Sequence, residues 1–125
     1  MSQSESSACC SGAPKLIFAC SGAADVGAIA DQAARKLTRE GLGKMYCLAG
    51  VGGRIETIVE TTRQASRILA IDGCPTDCVK ATLEGAGFAN FAHVRITDLG
   101  MDKGKTPPTE QTIAAAANAA ASRLA

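Results

Sequence analysis

Four short strand-like runs, at 16–20, 45–49, 68–71 and 92–97, are each followed by a longer stretch whose apolar residues recur at helical spacing. The first three runs are apolar throughout, as strands covered on both faces are, and strands alternating with helices over short connections make a parallel sheet. The helical stretches are expected at 24–40 (Val26, Ala30, Ala33, Leu37), 54–66 (Ile55, Ile58, Val59, Thr62, Ala65), 75–84 (Val79, Leu83) and 109–124 (Ile113, Ala116, Ala117, Ala120, Leu124). Gly41 and Gly43 stop the first, the glycines of 50–53 turn the chain into the second, and Thr109 is placed to cap the last. The expected fold class is therefore α/β: a three-layer sandwich around a four-stranded parallel sheet of order 2-1-3-4, flavodoxin- or Rossmann-like.

With 125 residues the chain suits one domain, read here as 14–125 behind a small, polar and flexible tail over 1–13. Its residues are 46% hydrophobic but only 3% aromatic, so the core must be aliphatic and rich in alanine. Thirteen Lys plus Arg face twelve Asp plus Glu, and this balance, without Trp, argues against nucleic acid or an anionic membrane surface as partner. No run is long enough to span a membrane, and 1–13 has no basic segment of the kind that opens a secretory signal. The expectation is a cytoplasmic protein whose six cysteines are reduced and serve metal or redox chemistry.

Their positions sharpen that expectation. Cys20 ends the first expected strand, Cys47 falls near the end of the second, and Cys74 follows the third in the stretch Asp72-Gly73-Cys74-Pro75-Thr76-Asp77-Cys78. Pro75 suits the first position of a helix, which would put Cys74 at the N-cap and Cys78 on the same helix face, both near the positive end of the dipole. In order 2-1-3-4 the first strand lies between the second and third, so Cys20, Cys47, Cys74 and Cys78 converge on the carboxyl edge of the sheet. Four thiolates are a tetrahedral set for zinc or another thiophilic ion. The spacing departs from paired Cys-x-x-Cys, and Cys20 and Cys47 also suit the role of apolar fillers.

Other residues carry weaker signals. Gly50-Val51-Gly52-Gly53 lacks the spacing of a dinucleotide fingerprint and reads as a tight turn, and Ser21-Gly22 offers the same choice. Asp72 is placed to bond backbone N–H groups and shape the turn. His93, at the start of its strand, reads as a surface or packing residue. Asp98 reads as a support behind the ligands, Lys103 and Lys105 as part of a loop that covers the site or is simply solvated, and Cys9 and Cys10 as thiols on a tether long enough to add ligands, to resolve a disulfide or to do nothing.

Asp72-Gly73-Cys74-Pro75 with Cys78, isolated Cys20 and Cys47, and the late Thr97-Asp98-Leu99-Gly100 segment together resemble the DGC-domain family of small prokaryotic proteins, over about residues 14–125. The resemblance implies zinc held at four cysteine positions, matched here by Cys20, Cys47, Cys74 and Cys78, and it implies no reaction. Three function classes follow. The preferred one is a metal-binding protein, a sensor or carrier, with those four ligands. The alternative is a thiol oxidoreductase or sulfur-transfer enzyme with Cys74 as nucleophile and Cys78 or Cys20 as resolving thiol. An interaction module on which the cysteines are passive is a third.

Overall fold

The computed structural model describes residues 13–124, so the expected tail lies outside the described residues except for Ala13, and Cys9 and Cys10 lie outside with it. The elements run β1 (Lys15–Ala19), α1 (Asp25–Arg39), β2 (Lys44–Met45), α2 (Leu48–Gly52), α3 (Glu56–Arg63), β3 (Arg67–Asp72), α4 (Cys78–Gly85), β4 (Ala92–Arg95) and α5 (Glu110–Ala121). The four strands form one parallel sheet in the order β2-β1-β3-β4. That is the expected α/β architecture, with five helices.

Side chains alternate across the sheet, and each face has its own core. Ile17, Ala19, Leu69, Ile71 and Val94 meet Val26, Ile29, Ala30, Ala33 and Leu37 of α1 and the alanines 116, 117 and 120 of α5. On the other face Leu16, Phe18, Ile68 and Ala70 pack against Val51 of α2 and Val79 and Leu83 of α4, with Ile58 of α3 at the margin. Alanine at α5's inner face lets it lie close to α1, which explains a core with so few aromatics. Thr109 caps α5 as expected: its hydroxyl accepts the Thr112 N–H while the Thr112 hydroxyl accepts the Thr109 N–H.

Four expectations need correction. The second strand is two residues long rather than five. Tyr46 N–H still bonds Ile17 O, but Cys47 then caps α2, its sulfur accepting the Gly50 N–H at 3.3 Å. A short apolar run does not distinguish strand from helix, and here the local cap decided. Gly50 and Gly52 are accordingly helical rather than part of a turn; Gly50 is where Ile58 of α3 packs, on the space a Cβ would take. The turn itself falls at Gly53 and Arg54, whose guanidinium donates to the carbonyls of Val51 and Gly52 ending α2 and of Gly85 ending α4.

Further along, α4 begins at Cys78, not at Pro75, because Asp77 takes the left-handed conformation (φ 56°) and breaks the turn. Cys74 is therefore no N-cap and does not share a helix face with Cys78. The fourth strand stops at Arg95, two residues early, and a single 3-10 turn over Ile96–Leu99 follows. There Thr97 N–H bonds the Gly73 carbonyl, drawing the chain back to the β3 turn.

Candidate functional site

The Asp72-Gly73-Cys74 turn is built by three residues with separate tasks. Asp72 ends β3 almost completely buried, and its carboxylate accepts the N–H groups of Val79 (2.7 Å) and Lys80 (3.1 Å). Those are unpaired donors of α4's first turn, satisfied by a strand-end side chain seven residues upstream. Gly73 lies against the start of α1: a Cβ there would come within 2.7 Å of the Gly27 backbone nitrogen, so no larger residue fits without moving backbone. Cys74 then emerges half-buried at the rim.

Its sulfur is 3.4 Å from Thr76 Oγ1, and Lys103 Nζ donates to it at 3.6 Å. The Thr76 hydroxyl, then the Thr76 backbone N–H, and behind them the Lys103 ammonium hold the Cys74 thiol below its ordinary range; slight desolvation opposes them. Lys103 thus belongs to the site rather than to a solvated loop.

Asp72 also receives His93, whose Nε2 is 2.9 Å from Asp72 Oδ2 and 3.7 Å from Asp77 Oδ1. Arg95, two residues on and so on the same face of β4, grips Asp77 through Nε and Nη2 and reaches Asp98 at 3.2 Å. The Arg95 side chain holds the Asp77 carboxyl below the usual carboxylate range against mild desolvation, and Asp77 in turn raises the guanidinium. His93 is therefore the packing residue of the two expected options, a structural partner of the turn at the Asp72 end of the sheet. The signal was a buried aspartate with no cation nearby in sequence, and a His-x-Arg pair on the strand that pairs with β3.

Cys20 follows β1, where its N–H continues the pairing to Ile71 O, and its sulfur lies against Gly27. Cys20 and Cys47 open onto one cleft of about 690 Å³, lined also by Ser21, Arg35, Tyr46 and Thr82. Cys20 and Cys74 both border the core on the α1 side, while Cys47 and Cys78 are exposed. Three of the thiols thus sit on the connections of the carboxyl edge and Cys78 on the first residue of α4, and they do not form a four-cysteine site. Among the described residues the group with three ligand atoms within 4.8 Å of one another is Asp72, Asp77 and His93. Its oxygens are already taken by two N–H groups and the Arg95 guanidinium, which leaves a poor cation site.

The DGC domain model matches residues 16–120. The chain belongs to the DGC domain family. Over 88 residues this DGC domain is 39% identical to the anaerobic and virulence modulator AnvM of Pseudomonas aeruginosa, a span of 70% of this chain and 67% of AnvM. No solved structure matches it. No helix of the DGC domain is long and apolar enough, among the described residues, to cross a membrane.

Proposed function

We propose that this DGC domain is a small cytoplasmic regulatory protein that binds one Zn(II), or a similar thiophilic ion, through Cys20, Cys47, Cys74 and Cys78. The reading is carried by one observation: Cys20, Cys47 and Cys74 lie on connections at one edge of the sheet and Cys78 opens α4 at that same edge, and none is sealed in the core. Closing the set asks exposed Cys47 and Cys78 to turn inward. Cys47 stands between a two-residue strand and a five-residue helix, the shortest strand and the shortest α-helix of the fold. That AnvM is named a modulator supports regulation as the use of the ion.

Anaerobically purified, reduced protein is expected to carry one thiophilic ion per chain, with the four thiols shielded from alkylation until a chelator is added. Protein that holds no stoichiometric metal and takes up none under reducing conditions overturns the reading. The Cys74 surroundings favour a second reading, a thiol oxidoreductase or sulfur-transfer enzyme with Cys74 as nucleophile and Cys78 or Cys20 as resolving thiol. Fast alkylation of Cys74 at mildly acidic pH, in protein whose reactivity a metal does not change, is the outcome that selects it.

A further inference from the structure

The loop between β4 and α5 is tied across the thiol edge by a carboxylate from another element. Asp25, the first residue of α1, accepts the Gly104 N–H at 2.9 Å and the Thr106 N–H at 3.0 Å, besides that of Val26. Within the loop, Asp102 O receives the Thr106 hydroxyl and the Lys105 N–H, and Met101 packs on the core at its upstream end. These ties fix the backbone on both sides of Lys103, and Lys103 is the residue that reaches Cys74.

We propose that Lys103, held by this strap, is the counter-ion of the Cys74 sulfur in the metal-free protein and must give way before Cys74 can join an ion, so that its charge limits how tightly the edge takes up a thiophilic dication. The proposal rests on the four-thiol reading above. A metal bonded to Sγ stands about 2.3 Å from it. An ammonium 3.6 Å from the same sulfur occupies the space beside that bond and repels the incoming charge. Lys103 is exposed, so removing its charge leaves the core untouched.

The test is titration of anaerobic, reduced full-length protein with Cd²⁺ against a competing chelator, read from thiolate-to-cadmium absorbance. Lys103→Met is expected to bind Cd²⁺ roughly three- to ten-fold more tightly than the parent, the range of one partly screened charge pair. Lys105→Met removes the same charge from the same loop away from Cys74 and is expected to match the parent. Parent protein with a thiolate band and an unchanged or weaker affinity in Lys103→Met overturns the role of Lys103 and leaves the four-thiol reading standing. Equal tightening in Lys105→Met also overturns it, since the effect would then be one of net charge. No thiolate band in any variant overturns the four-thiol reading, and the role of Lys103 falls with it.

Discussion

Around Cys74 the turn is fixed by a buried carboxylate, two side-chain partners from β4 and a backbone-to-backbone approach, whereas around Cys47 the chain is held by a two-residue strand and a five-residue helix. The two halves of one edge therefore differ in what a change in them costs. At the Asp72 end the polar groups have partners at set distances, and any replacement must break one. At the Cys47 end Tyr46, Cys47 and Leu48 line a cleft instead. An ion recruiting sulfurs from both halves would move the second toward the first.

The contrast is broken or sharpened most by glycine replacement. Gly73→Ala drives a methyl into the Gly27 backbone and is expected to cost about 3 kcal/mol in urea unfolding. Gly52→Ala, whose Cβ would meet only Thr82 Cγ2 at 3.5 Å, is expected to be neutral or to gain about 0.5 kcal/mol. Similar costs for the two would remove the distinction. Next in size, Asp72→Ala strips the acceptors from Val79 and Lys80 N–H and is expected to cost about 2 kcal/mol, with faster hydrogen exchange at those two amides.

The smallest effect is one of pH. Because Asp77 titrates below its ordinary value of 3.8 in the folded protein, its pairing with Arg95 stabilises fully above that value and is lost as pH falls through the lowered one. The difference in melting temperature between parent and Asp77→Asn is thus expected to stay level above about pH 4 and to close on further acidification. Asn tolerates the left-handed backbone at 77, so the charge alone is tested. A difference that widens in acid would contradict the ion pair.

Periodicity was enough for α1 and the alternation of strands and helices, residue type for the Thr109 cap, and the usual winding of such folds for the sheet order, because each rests on residues close in sequence or on whole elements. It misjudged β2, where Met45 to Ala49 is equally apolar as strand or helix and the Cys47 cap tipped the balance. The α4 start was hidden for another reason: the group that caps it is on β3, so Pro75 gave the only local cue and Asp77 overrode it. His93 and Lys103 came to the thiol edge through strand register and through Asp25, contacts spanning 21 residues in one case and about 80 in the other. Cys20, Cys47, Cys74 and Cys78 were legible as belonging to one edge; the distances between their sulfurs were not.

The approach of Gly73 to Gly27 has one more consequence. In open sheets of this order the crevice between the first and third strands, where the winding reverses, is the customary berth for nucleotides and flavins. Two main chains in contact there make the crevice narrow by backbone rather than by side chains, so its width is set by the absence of a Cβ at 73 and 27 and cannot be tuned by any larger residue.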